Sequence, residues 1–299
     1  MKNYFLAILI LVSGNRAKSG IEEYLPLAAA TAVACGSVVC IAYSKLMPVK
    51  KVLLRAGLHS IQGKRPTMED AHCVVENSEH RFYGVYDGHG GYRVADEVAA
   101  NLYNEFVSCN FDFKEAFQNT DDKLDSDISR SCGSTAVCAL IEGNELTVAH
   151  AGDSRAVICS NDTAKALTTD HKPNLIAEQL RIKKNGGYVC FNGCWRACKP
   201  GEHSGLAVSR AFGDKCLKPC VISEPEVNTY PISEKDQFLI LACDGVWDVL
   251  ANQQAVNVVL KSLQQNSDDF KLAAQAIVNL AYEEGSTDNI TAMVIDLRK

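Results

Sequence analysis

Beyond about residue 57 the chain alternates between short runs in which apolar residues recur at every second position and longer runs in which they recur every three or four. The first pattern predicts strands over Ala71 to Val75, Arg81 to Tyr86, Thr135 to Ile141, Glu145 to His150, Ala156 to Cys159, Gln237 to Cys243 and Ile290 to Leu297. The second predicts amphipathic helices over Tyr92 to Val107, Phe113 to Ser126, Lys172 to Asn185, Asn252 to Gln265 and Asp268 to Glu283. Asn144 and Asn161 fall between consecutive strands, where hairpin turns favour them. Several strands follow one another with no helix between them, which disfavours a doubly wound parallel sheet. The expectation is an α+β fold of packed antiparallel sheets with helices outside.

Ahead of this region the pattern changes. Lys2 precedes a short apolar run from Phe5 to Val12, the arrangement of a targeting signal within residues 1–17, too short to span a bilayer. Residues 25–43 are uncharged and reach the ~20 residues that a hydrocarbon core of ~30 Å requires. Lys45, Lys50, Lys51 and Arg55 follow, a basic excess that assigns this flank to the cytoplasmic side. The expected organisation is an N-terminal hydrophobic extension, 1–56, with a single-pass membrane helix at 25–43 that tethers a catalytic domain, 57–299, facing the cytosol. A signal region or a buried helix is the competing reading of 25–43, and the endoplasmic reticulum is one candidate membrane.

With 299 residues, 47% of them hydrophobic, the chain can bury a sizeable core, which excludes a disordered chain and a disulfide-held miniprotein. A net charge of −6, with Lys and Arg scattered beyond residue 55, offers no footprint for nucleic acid. The 13 cysteines are odd in number and irregularly spaced, and Cys138, Cys159 and Cys243 sit inside apolar runs, where they read as small buried hydrophobes in a reducing compartment.

Candidate chemistry concentrates where apolar runs stop. The run Phe82-Tyr83-Gly84-Val85-Tyr86 ends at Asp87-Gly88-His89-Gly90-Gly91, a composition that packs nothing and permits close approach. Three other places repeat the design: Met68-Glu69-Asp70 beside Arg65, Cys243-Asp244-Gly245 after an apolar run, and Asp288-Asn289 before one. Acidic groups at several strand ends repel one another unless cations lie between them. The economical reading is a shared oxygen-rich site for hard divalent metal. Taken singly, each Asp-Gly pair reads as a turn, Glu69 and Arg65 as solvated charges, Asp153 as a turn residue fixing Arg155 and Asp248 as a cap of the following helix.

The ordered set is more specific than its members. Arg65-Pro66-Thr67-Met68-Glu69-Asp70, Val85 to Gly91, Gly133-Ser134-Thr135-Ala136-Val137, Ala151-Gly152-Asp153-Ser154-Arg155, Asp170-His171-Lys172-Pro173, Leu206 to Asp214, Cys243 to Asp248 and Asp288-Asn289-Ile290-Thr291 together resemble the metal-dependent protein serine/threonine phosphatases of the protein phosphatase 2C family. The hydrophobic N-terminus and Phe191-Asn192-Gly193 before Trp195-Arg196 look most like the membrane-anchored type-1L branch. The resemblance implies a four-layer α-β-β-α sandwich and hydrolysis of phosphoserine and phosphothreonine in phosphoprotein substrates by a water that two metals activate, with no phosphoenzyme. It also implies that Asp87 bridges two Mg²⁺ or Mn²⁺ ions, with Glu69 and the Gly88 carbonyl on one and Asp244 and Asp288 on the other. Asp70 would orient a water, and Asp153 and Asp248 would hold a third, weaker ion. Arg65 would grip the phosphate and His89 would protonate the leaving oxygen. A monomeric catalytic domain is expected. A departure lies at Ala197 to Ser204, where the family's short Val-x-Gly link gains about five residues and Ala197 replaces the valine, so substrate selection is where this chain is expected to differ.

Competing readings remain at this stage. A silent, membrane-tethered binding module of the same fold would need no turnover. Cys190 and Arg196 satisfy the C-x-x-G-x-x-R spacing of a cysteine-based phosphatase, although Lys199-Pro200-Gly201 interrupts the helix that chemistry needs. Cys190, Cys194, Cys198, His203, Cys216 and Cys220 offer zinc-ligand residue types without paired C-x-x-C spacing. Asp125-Ser126-Asp127 follows a charged helix and reads as solvated rather than as an aspartyl-phosphatase start.

Overall fold

The computed structural model describes residues 55–202 and 205–298. In chain order the elements are β1 (Ala56–Ile61), β2 (Ala71–Glu76), β3 (Arg81–Tyr86), β4 (Gly88–His89), α1 (Arg93–Ser108), α2 (Phe113–Lys123), β5 (Gly133–Ser134), β6 (Ala136–Glu142), β7 (Glu145–Ala151), β8 (Arg155–Ser160) and β9 (Thr163–Ala166). They continue with α3 (Ile176–Lys184), β10 (Tyr188–Asn192), β11 (Cys194–Cys198), β12 (Phe212–Gly213), β13 (Glu226–Pro231), β14 (Asp236–Ala242), α4 (Asp244–Trp247), α5 (Asn252–Gln265), α6 (Phe270–Glu283) and β15 (Ile290–Asp296).

Two antiparallel five-stranded sheets result, ordered β1-β15-β14-β8-β9 and β13-β7-β6-β3-β2. Period two decides what fills the spaces between layers. Leu239, Leu241, Met293 and Ile295 point into the space between the sheets and meet Tyr83, Val85, Val137, Ala139 and Val148. Their neighbours Ile240, Ala242, Ala292 and Val294 point the other way, onto Val256 and Val259 of α5 and Ala274, Ile277 and Val278 of α6. Phe82 and Tyr86 likewise point outward, beneath Val98, Leu102 and Phe106 of α1 and Phe113 and Phe117 of α2. The helices therefore lie on the outer faces of a four-layer arrangement. Each fully buried side chain of this kind contributes roughly 1.5–3 kcal/mol.

The predicted strands all form. Both central strands β14 and β15 are buried on two faces, so their apolar runs are continuous rather than alternating with polar residues. Helix ends differ more. The helix expected from Lys172 begins at Ile176, because Pro173 bars the helical conformation at Lys172. That expected to reach Ser126 stops at Lys123; Leu124 is extended and Asp125 accepts the Asp127 and Ile128 amides in a turn of its own. Asp112 and Asp269 cap α2 and α6 by accepting amides of the first turn.

The predicted span at 25–43, the signal within 1–17 and nearly all of the extension 1–56 lie outside the described residues, as do His203 and Ser204. Among the described residues no helix is long and apolar enough to cross a membrane.

Candidate metal centre

Carboxylates arrive at one place from both sheets. Asp87 follows β3, Asp153 follows β7, Asp244 leaves β14 as the first residue of α4, and Asp288 precedes β15. Ligand oxygens of Asp87, Asp153 and Asp244 all lie within 4.8 Å of one another, and Asp87 is similarly grouped with Asp70 and Cys243. Burial, followed by the charges of Asp244, Asp70, Asp153 and Asp288, pushes the Asp87 carboxyl well above the usual carboxylate range. Burial and then Asp153, Asp248 and Asp288 push Asp244 up too. Cys243 moves further from ionisation for the same reasons, burial first, so it serves here as a thiol that accepts the Thr291 amide at 3.2 Å.

Asp70 is bound on one side only. Thr291 Oγ1 donates to its Oδ2 at 2.6 Å, while its Oδ1 is buried with no partner among the described residues. Crowded, mutually repelling oxygens together with an acceptor left open fit hard divalent cations of the Mg²⁺ or Mn²⁺ kind, which bind few carboxylates and retain waters.

Glu69 and Asp288 do not join either carboxylate group. Glu69 accepts Thr67 Oγ1 at 2.8 Å and the Gly91 amide at 3.3 Å, and its own amide donates to Asn289 Oδ1 at 2.8 Å. Asp288 Oδ2 accepts Arg65 Nη2 at 2.6 Å, with the Arg65 side chain 53% exposed. Gly88 is buried against the chain at Glu69: an added Cβ would stand 2.3 Å from the Glu69 carbonyl oxygen, so no other residue fits. Asp153 is buried and held by Lys172 Nζ rather than by Arg155, which takes Asp170 bidentately at 2.9 and 2.7 Å. Asp248 ends α4 on the exposed side and does not cap α5, whose N-cap is Ala251.

His89 pairs with Gly133 through the β4–β5 ladder, and its Nε2 lies 2.7 Å from Asp214 Oδ2. The His89 side chain is 26% exposed and Asp214 4%. Burial would lower the imidazole's pKa, but the charge and hydrogen bond of Asp214 outweigh it and raise it. Asp214 was not singled out by the sequence except as the end of a motif, and neither was Asn289. That buried amide donates to the carbonyls of Gln62 at 2.8 Å and Thr67 at 2.9 Å while accepting the Glu69 amide, so it ties the Arg65 to Asp70 segment to the start of β15.

Two competing readings from the cysteines fall away. Cys190 sits in β10 directly opposite Arg196 of β11 in a two-stranded hairpin, so no phosphate loop or helix N-terminus follows it and the cysteine-phosphatase reading is excluded. Among the described residues, no three of Cys190, Cys194, Cys198, Cys216 and Cys220 bring their sulfurs within ligand reach of one another, which removes the zinc reading for them. A further cluster, His150, His171 and Glu226, has stacked rings 4.3 Å apart. There the Gly152 amide donates to His171 Nδ1 at 3.2 Å, which leaves the proton on Nε2 and no lone pair for a cation.

A family model described as Protein phosphatase 2C matches residues 54–290. "Probable protein phosphatase 2C member 13, mitochondrial" of Oryza sativa subsp. japonica is 40% identical over 256 residues, spanning 81% of this chain and 68% of that protein. "Probable protein phosphatase 2C 45" of the same organism is 40% identical over 252 residues, spanning 80% and 86%. The crystal structure of serine-threonine phosphatase 2C from Toxoplasma gondii superposes with a TM-score of 0.71 at 26% identity, covering 81% of this chain and 94% of that one.

Proposed function

Because this chain belongs to the protein phosphatase 2C family, we propose that it dephosphorylates phosphoserine and phosphothreonine in proteins at the carboxylate cluster, with two Mg²⁺ or Mn²⁺ ions held by Asp87, Glu69, the Gly88 carbonyl, Asp244 and Asp288. When bound, such ions supply the Lewis acidity that activates water for in-line attack on phosphorus. Asp70, with one oxygen unpartnered, would orient the attacking water, and Asp153 and Asp248 would hold a third, weaker ion. Arg65 presents a planar fork of donors to the phosphate and exchanges Asp288 for it. His89, kept protonated by Asp214, donates its proton to the departing serine or threonine oxygen. No side-chain nucleophile takes part, so no phosphoenzyme forms.

The observation that carries this reading is the convergence of Asp87, Asp153 and Asp244 from strand ends of two sheets. The deciding experiment is hydrolysis of a phosphothreonine peptide with and without Mn²⁺, with Asp244→Asn as the control. Turnover that requires the ion and disappears in the variant supports the phosphatase. A folded chain that binds Mn²⁺ yet releases no phosphate would instead be a silent binding module.

The uncharged stretch 25–43 and its basic C-terminal flank support a single-pass anchor of the type-1L kind, with the phosphatase domain in the cytosol. Extraction of the full chain from membranes by alkaline carbonate would refute it.

A further inference from the structure

In the β10–β11 hairpin Cys190 faces Arg196 and Tyr188 faces Cys198. Directly opposed residues share a face, so Cys190, Cys194 and Cys198 project to one side, with Cys190 diagonal to each of the other two. Ladder geometry alone leaves both pairings open. The side chains select one: Cys190 Sγ stands 2.6 Å from Cys198 Sγ. That is far closer than the ~3.5–4.0 Å at which even smaller carbon atoms rest in a packed interior. Cys198 is buried and walled in by Gly205, where an added Cβ would stand 2.6 Å from the sulfur, whereas Cys190 keeps access to solvent.

We propose that Cys190 and Cys198 form a reversible dithiol–disulfide modification site that cross-links the two strands of this hairpin. With a hydroperoxide as oxidant the chemistry balances. The Cys190 thiolate attacks a peroxide oxygen, the O–O bond breaks, and the leaving hydroxide departs as water. Cys198 then attacks the Cys190 sulfenic sulfur, the S–S bond forms, and the second water leaves with the Cys198 proton. Two thiols lose two electrons and two protons, and one hydrogen peroxide becomes two waters. Access to solvent makes Cys190 the attacking sulfur. Burial raises the pKa of Cys198, which suits it to resolve rather than to attack.

The link bears on one part of the surface. Ala197 and Leu206 exchange two backbone hydrogen bonds, at 2.8 and 3.0 Å, so Cys198 adjoins the bridge within the stretch Ala197 to Ser204 where the sequence departs from the resembled family. Cross-linking β10 to β11 fixes the β11 side of that bridge. In a reducing cytosol the bond is transient and reports oxidant; in an oxidising lumen it is permanent.

The test needs no activity and so stands apart from the phosphatase reading. The full chain is treated with hydrogen peroxide, blocked with an alkylating reagent and digested with trypsin without reduction. Cleavage after Arg196 separates the two sulfurs, and the expected product is peptide 185–196 joined to peptide 197–210, parted by dithiothreitol. Since 185–196 also carries Cys194, the digest is repeated on Cys194→Ser, which keeps the joined pair, and on Cys190→Ser, which loses it. Fully alkylated, unjoined peptides from the oxidised wild-type chain overturn the proposal without reference to how any variant folds. A joined pair that survives Cys190→Ser overturns it too, as does a stoichiometric zinc ion, seen in native mass spectra, that shields both thiols.

Discussion

Replacing Asp214 by Asn removes the charge that faces His89 Nε2 at 2.7 Å while keeping an acceptor in place. A hydrogen bond to a charged group is worth ~1.5–3 kcal/mol, and one unit of pKa corresponds to ~1.4 kcal/mol. Asp214 is 4% exposed but His89 is 26% exposed, so solvent screens part of the interaction. The expected loss is therefore the lower end of that range, about 1.5 kcal/mol of preference for the protonated imidazole, and its pKa falls. The sign follows from the direction of the shift: His89 must carry a proton to act as general acid, Asp214 holds that proton to higher pH, and the variant loses it earlier as pH rises. The assay is kcat/KM against pH for a phosphothreonine peptide with saturating Mn²⁺. Its alkaline limb should move to lower pH. An aryl phosphate whose phenol leaves without a proton should show a much smaller change at the same pH. An alkaline limb that stays in place, or equal losses on both substrates in a variant with a native unfolding midpoint, would refute the proton-holding role of Asp214.

The raised Asp87 and Asp244 carboxyls make the ion-free fold depend on protons: their contribution to stability is fully present below their ordinary value of 3.8 and is lost as pH climbs through their raised values. The gain in melting temperature on adding Mn²⁺ over chelator should accordingly be larger at about pH 8 than at about pH 5, and equal gains would contradict it. Gly88→Ala drives a Cβ against the Glu69 carbonyl, so titration calorimetry should show Mn²⁺ affinity reduced at least tenfold, on the order of 1.4 kcal/mol; unchanged affinity would mean that backbone can yield. Glu178→Gln breaks a buried network in which Glu178 accepts Arg181, Arg210 and Ser209, at an expected cost of ~3–5 kcal/mol in urea unfolding. Although burial opposes it, the hydrogen bonds from Arg210, Arg181 and Ser209 bring Glu178 down to about 2, so wild-type stability from this network is present above 4.5 and is lost as pH falls through 2.

What could be read from the sequence follows the range of the forces involved. Strands β3, β14 and β15 were legible because burial on one or both faces writes itself into neighbouring residues, and the carboxylates were legible because each borders a strand. Strands β1, β10, β11 and β13 were not: Ala-Gly-Leu-His-Ser-Ile carries little alternation, and β1 exists because β15 offers it a ladder. The grouping inside the site was also hidden. Asp214 meets His89 across 125 residues and Asn289 meets Gln62 across 227, and no local spacing encodes either meeting. The pairing of Asp288 with Arg65 in place of a carboxylate neighbour is tertiary in the same sense.

The two sheets each contribute carboxylate oxygens to one cluster, Asp87 and Asp153 from one slab and Asp244 from the other. The centre therefore works as a gauge of how the slabs are aligned. A swap such as Leu239→Val or Val137→Ala, in the layer that spaces the slabs, is expected to loosen that alignment and to weaken Mn²⁺ binding before the fold itself gives way.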